Sequence, residues 1–172
     1  RIDDFAYTPE QNISHAMTAL MAQNKGAGKI DRMKEGFRCG IILETIYGIL
    51  IFIICFALAR PLMMMFVKDE EVIGHGVTYL HLISVMYLLP ALTNGIQGFF
   101  RGIGDLKITL ISSFINMALR VLAAAPLVLI WKMGIEALPY SYLAGWIRML
   151  VAETPLLLKT YKTWGKKGET PC

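Results

Sequence analysis

Charge is scarce in this sequence. Of its 172 residues only 17% are Asp, Glu, Lys or Arg, against about 25% in an ordinary soluble domain. With 55% apolar residues and a mean hydropathy of +0.52, that shortage excludes a disordered chain and argues against a soluble globular one. Cysteine is scarce too. Cys39, Cys55 and Cys172 form no CxxC pair and no disulfide framework, and two of them lie in or beside apolar runs, where a thiol acts as a small apolar residue. Enzyme signatures are missing: there is no P-loop, GxSxG, HExxH or GxGxxG, and His15, His75 and His81 are too scattered for a metal site. The sequence holds no internal repeat, no low-complexity tract and no opening signal stretch. It starts at Arg1 and runs directly into a helical pattern, which reads as a piece of a longer protein. The net charge of +4 does not point to nucleic acid, because the basic residues fall in short clusters between apolar runs and form no continuous face.

What the sequence has instead is long apolar runs. A membrane helix needs about 20 mostly apolar residues, and four stretches qualify, at about 39–65, 72–100, 108–131 and 134–158. A fifth, at about 5–24, is more polar, carrying Gln11, Asn12, Ser14, His15 and Thr18. Alone it would pass for a surface or core helix; its length and basic flank favour a span that faces a polar interior. The expected fold is an all-α integral membrane protein of about five transmembrane helices, with 165–172 as a tail.

The loops test this parsing. Numbering the spans in order, the loop after the first, the loop after the third and the C-terminal segment together hold eleven Lys and Arg, and the opposite side holds four, Arg1, Arg60, Lys68 and Lys132. Basic loops face the cytoplasm, so the chain is expected to start outside and end with its C-terminus inside. Pro90, Pro126 and Pro155 fall within apolar runs, where each removes a backbone donor and bends its helix.

Polar residues inside spans are costly in lipid and mark protein contacts or wet cavities. In the third span Asn94 and Gln97 are three apart and share a face, with Tyr87 and Pro90 preceding them on a similar face. In the fourth, Arg120 lies one turn beyond Asn116. These five, Tyr87, Asn94, Gln97, Asn116 and Arg120, are the candidates for lining a substrate cavity; interhelical hydrogen bonding is the competing role. Glu44 reads as a snorkelling or loop-paired carboxylate near the start of the second span, Glu153 as lying near the cytoplasmic exit of the fifth, and Arg148 as mid-span. Met63, Met64 and Met65 suit a lipid-facing helix end.

Two segments carry a resemblance. The first span ends in Gln23-Asn24-Lys25-Gly26-Ala27-Gly28, followed by Arg32, and the third in Arg101-Gly102-Ile103-Gly104-Asp105; Arg120, the Tyr140-Ser141-Tyr142 run and Gly145-Trp146 follow in order. This arrangement resembles the C-terminal half of the multidrug and toxic compound extrusion (MATE) transporters, in which the Gln23, Asn24, Gly26, Ala27 and Arg101, Gly102, Gly104, Asp105 segments match cytoplasmic loop signatures. The resemblance implies a twelve-helix protein of two six-helix lobes, of which these spans are the last five. It implies export of cationic or amphipathic compounds across the plasma membrane in exchange for Na+ or H+, by alternating access. Such a protein is no enzyme, uses no cofactor and needs the N-terminal lobe of the same polypeptide as its partner. Some members carry an acidic residue on the helix matching the third span. Here that stretch, Leu92-Thr93-Asn94-Gly95-Ile96-Gln97, has none, so the coupling ion is expected to bind outside this segment. The loop glycines are expected to serve tight turns. The alternatives are a flippase for lipid-linked oligosaccharides of the same superfamily, whose anionic substrates would need several cations in the cavity, and a truncated membrane protein that transports nothing.

Overall fold

A computed structural model of the chain describes residues 2–129, Lys132 and residues 137–167. Among the described residues the regular structure is helical: α1 (Ile2–Gly26), α2 (Ile30–Ala57), α3 (Ala59–Met64), α4 (Glu70–Ser84), α5 (Leu88–Gly102), α6 (Leu106–Leu129) and α7 (Ala137–Lys167). The expected stretch 5–24 falls in α1, 39–65 in α2 and α3, and 72–100 in α4 and α5; residues 108–129 of the fourth lie in α6 and 137–158 of the fifth in α7, with 130, 131 and 134–136 outside the described residues. Glu136, Cys172 and the tail beyond Lys167 lie outside the described residues.

Three boundaries differ from the sequence reading. Helix α7 runs on to Lys167, through 165–167 of the expected tail. Helix α2 begins at Ile30, well ahead of Cys39, so Arg32, Lys34 and Arg38 ride on its first turns and do not form a loop. Glu44 is therefore central in α2, not near its end. The third stretch is broken: α4 and α5 meet at an angle of 49°. Across the break the backbone tightens to three-residue hydrogen bonds, Met86 N to Ile83 O and Tyr87 N to Ser84 O at 2.9 and 3.2 Å. Pro90 follows one turn later, where its missing N–H cannot continue the ladder. Pro126 and Pro155 stay inside α6 and α7. Asp69 sets the start of α4 by capping it, its Oδ1 accepting from Glu71 N at 2.9 Å and Val72 N at 3.3 Å.

Helices α2 and α6 are long and apolar enough to cross a membrane, and the bent pair α4–α5 makes a third if taken as one span. Along one side of α2 the apolar side chains of Ile42, Leu43, Ile46, Ile49, Leu50 and Ile53 are exposed, at the spacing of a single helix face. Ser112 is the one buried residue of α6. Faces of this kind need a lipid solvent. The exposed Met64 and Met65 extend the apolar surface at the far end.

Helices α1, α2 and α5 pack together, with α7 beside α5 and α6 along α7. Their contacts form two apolar clusters. At the end bearing the basic segments, Met17, Met21, Met33, Phe37, Ile96, Phe99 and Phe100 pack together, with the Phe37 and Phe99 rings edge-to-face at 5.0 Å. At the other end Ala6, Cys55, Ala59, Leu80, Ile83 and Tyr87 do the same. On α1 the chain passes from one cluster to the other through Glu10 and Ser14, both fully buried, and on α2 through Glu44, also fully buried. A layer of polar side chains thus crosses the bundle between two apolar ends.

Candidate functional site: a polar cleft at mid-depth

The layer is built on the crossing of α1 and α5. Ser14 Oγ donates to the carbonyl of Asn94, and Thr18 Oγ1 donates to the carbonyl of Gly98 at 3.1 Å as well as to its own helix at Ser14 O, 2.9 Å. This approach is open only because position 98 has no side chain: a Cβ there would stand 2.6 Å from the Ser14 carbonyl oxygen. Small residues and hydroxyls are what membrane helices use to bring backbones together. Arg101 Nη2 adds a bond to Ser14 Oγ at 2.7 Å.

On the other side of α5 lies an open cleft of about 360 Å³ between α1, α5, α6 and α7. Asn94, Gln97, Asn116 and Arg120 all line it, so the structure brings four of the five candidates to one surface. Tyr7, Thr93, Ser113, Tyr142 and Trp146 line it too. Tyr87 does not reach it. It is fully buried in the second apolar cluster, meeting the Tyr7 ring edge-on at 5.6 Å. Tyr87 keeps the register of α5, its carbonyl accepting from Ala91 N at 3.3 Å, but it lies two turns from Asn94 at the start of the helix, where the Tyr7 ring stands against it.

Arg120 is the one charged residue among those lining the cleft. Its guanidinium carbon sits 3.6 Å above the centre of the Tyr142 ring, a cation–π contact worth about 0.5–2 kcal/mol. Tyr142 in turn meets Trp146 edge-to-face at 5.8 Å. Gly145 lets α7 come against Asn116 and Arg120 of α6, since any side chain there would overlap both. Arg148 faces elsewhere, lining a groove between α6 and α7 with Ser112 and Met149.

Three carboxylates complete the layer, and two of them correct the sequence reading. Glu44 is fully buried, with no hydrogen-bond partner to either oxygen among the described residues; it neither snorkels nor pairs with a loop. The cause is the early start of α2 together with Gly40 and Gly48, which bring Met17 of α1 and Ala91 of α5 onto the face that holds Glu44. Glu153 is also fully buried, not at an exit: Gln97 Nε2 donates to its Oε1 at 3.4 Å, and Ser112 lies against it from α6. Sequence reasoning passed over Glu10 altogether. It is fully buried on α1 beside Asn94 and interacts electrostatically with Glu44. The signal was available, since Ala6, Glu10, Ser14, Met17 and Met21 follow helical spacing along one buried face.

The two loop motifs close their helices in the same way. After α5, Asp105 N bonds Phe100 O at 2.9 Å and Gly104 N bonds Arg101 O at 3.1 Å, with Gly104 at φ +81°. After α1, Lys29 N bonds Asn24 O at 2.9 Å and Gly28 N bonds Lys25 O at 3.1 Å, with Gly28 at φ +67°. Each is a Schellman turn, whose left-handed residue is favoured as glycine. Lys25 Nζ joins them by donating to the carbonyl of Ile103. Ala27 N bonds Gln23 O, and Asn24 Nδ2 bonds Leu20 O at 2.9 Å. Gly26 has open space around it, while Gly102 is a packing glycine and not a turn glycine, its vacancy filled by Met21 and the Thr18 carbonyl.

Known proteins resemble the chain in sequence and in fold. The family description MatE matches residues 1–125. The chain is 25% identical over 150 residues to the "Probable multidrug resistance protein NorM" of Thermotoga maritima, covering 87% of this chain and 31% of that protein. Its fold matches a solved inward-facing multidrug resistance MATE family transporter of the MOP superfamily with a TM-score of 0.80, at 15% identity, over 84% of this chain and 33% of that one. The chain spans about a third of the length of these relatives.

Proposed function

This chain belongs to the MatE family of membrane transporters, and from that premise we propose that it forms five of the six transmembrane segments of one lobe of a secondary multidrug exporter. The segments are those expected at 5–24, 39–65, 72–100, 108–131 and 134–158. The lobe's basic end, with both Schellman turns and the C-terminus, faces the cytoplasm, and the protein resides in the plasma membrane. The N-terminal lobe of the same polypeptide supplies the opposite wall. Export runs by alternating access, the two lobes rocking about a site near the membrane midplane, with Na+ or H+ moving in exchange.

The observation that supports this reading is the cleft. It lies between two apolar clusters and opens to one side. Its walls offer amides, hydroxyls and the aromatic rings of Tyr7, Tyr142 and Trp146. Such a surface suits cationic and amphipathic molecules, which gain from ring faces and adaptable hydrogen bonding. An anionic oligosaccharide lipid would need cations, and the cleft has Arg120 alone, already over Tyr142. Carboxylates reach the cleft indirectly: Glu10 lies beside Asn94 and Glu153 is bonded to Gln97.

The test is made on the full-length protein in cells that depend on it for drug efflux. Single cysteines replacing Asn94, Gln97 or Arg120 should react with a water-soluble maleimide and be protected by transported drug, while Tyr87→Cys stays unlabelled. Absence of labelling at all three, in variants that reach the membrane, would return these residues to a packing role.

A further inference from the structure

A second concave surface lies outside the cleft. Between α2 and α7, at the end carrying the basic segments, is a groove of about 740 Å³. Its chemistry changes along its length. Lys34 and Arg38, four apart on one face of α2, stand at one end; Ile41 and Ile42 follow on the next turn, facing Leu157 and Leu158 of α7. Tyr161 lies at the boundary, its hydroxyl donating to the Lys34 carbonyl at 3.3 Å. On the far side of Leu158 a smaller groove brings Lys159 and Lys162 to the same end of the bundle.

The acids nearby do not neutralise this end. Glu35 lines the groove, and Asp31 lies 4.0 Å from Lys34 but is fully open to solvent. Four cations thus stand against two acids. The apolar part opens outward: Ile42 is 48% and Leu158 56% exposed. From Ile42 the exposed face continues through Leu43, Ile46 and Ile49, the side of α2 that a bilayer covers.

We infer that this groove is a binding site for an anionic phospholipid, with the phosphate held by Lys34 and Arg38 and an acyl chain lying along Ile41, Ile42, Leu157 and Leu158. A cationic mouth on an apolar trough that opens to the lipid is complementary to both parts of such a molecule. Basic pockets between membrane helices on the cytoplasmic side hold anionic headgroups for the same reason. The site is separate from the drug cleft, and its test does not depend on transport.

The full-length protein, purified in a non-ionic detergent, is examined by native mass spectrometry with added phosphatidylglycerol, phosphatidylcholine or glycerol 3-phosphate. Phosphatidylglycerol should be retained at least tenfold better than phosphatidylcholine. The double variant Lys34→Gln/Arg38→Gln should lose that retention by fivefold or more, while Lys29→Gln/Arg32→Gln, exposed cations at the start of α2 that do not line the groove, keeps it. Ile42→Trp, which fills the trough and leaves every charge in place, should also lose it, and serves where the double variant does not fold. Equal retention of both lipids, equal loss in both double variants, or unchanged retention in Ile42→Trp overturns the proposal. So does glycerol 3-phosphate binding as well as the lipid, which would make the mouth a plain anion site. Retention of no lipid at all overturns it as well.

Discussion

Replacing Gly98 by alanine should destabilise the protein by about 1–3 kcal/mol, although alanine is the better helix former. The new Cβ would stand 2.6 Å from the carbonyl oxygen of Ser14. Restoring ordinary contact at 3.4 Å moves the α1 and α5 backbones apart by about 0.8 Å. That shift takes the Thr18 Oγ1 to Gly98 O bond from 3.1 Å to beyond hydrogen-bonding range, and the Ser14 to Asn94 bond beside it is stretched with it. Interhelical bonds of this type contribute about 0.6 kcal/mol each on average. Overpacking a close contact costs about 1–3 kcal/mol. Against these stands a gain of about 1 kcal/mol from helix propensity. Gly74, inside α4 with nothing near its missing Cβ, is the matched control. There the same substitution meets no neighbour and should stabilise by up to about 1 kcal/mol. The assay is reversible unfolding of the full-length protein in mixed detergent, followed by helical circular dichroism. The two substitutions should shift the midpoint in opposite directions. If both stabilise, or both destabilise equally, the crossing is not held by the close approach described here.

The Schellman turns make a second prediction. Gly28→Ala and Gly104→Ala each place a Cβ in left-handed backbone, at φ +67° and +81°, and should each cost about 1–2 kcal/mol in the same unfolding assay. Gly26→Ala, at a helical position with open space, should cost nothing measurable, and an equal loss at all three would refute the turn assignment. A third concerns Glu10 and Glu44. Glutamine at either site keeps the shape and removes a buried acid that has no ion-pair partner among the described residues, so the thermal midpoint should be no lower than that of the parent protein. A marked drop would show that the acid makes an interaction missing from this account.

How much of this was legible in the sequence follows from what each signal depends on. Apolar length is a local property, so the stretch that became α6 could be read directly. The turn glycines at 28 and 104 were legible for the same reason: a Gly after a helix ending in Lys25 or Arg101 needs no knowledge of neighbours. Asn94, Gln97, Asn116 and Arg120 could be paired within their own helices by spacing, but their meeting across α5 and α6 depends on α7 and Gly145, which no local pattern encodes. Tyr87 was misplaced because spacing gives a face of α5 but not what packs on it: the Tyr7 ring of α1 lies against it. The depth of Glu44 was misread because the basic residues from Arg32 to Arg38 suggested a loop, whereas the helix carries them past its apolar part. Glu10 escaped notice among Gln11, Asn12 and His15, three exposed residues that drew the polar reading of the helix to themselves.

The α1–α5 crossing also has a consequence for biogenesis. Helix α1 is not apolar enough, by its own composition, to qualify as a membrane span, whereas α2 is. The α5 carbonyls that Ser14 and Thr18 reach across the crossing lie 80 residues further along the chain, although Thr18 also bonds Ser14 O within its own helix. At a synthesis rate of about 5–20 residues per second, α1 therefore leaves the ribosome about 4–16 s before its acceptors exist. During that interval the strongly apolar α2 that follows it is the helix of this segment against which it can pack. The hairpin of α1 and α2 is in this sense a provisional structure, completed when α5 arrives to close it.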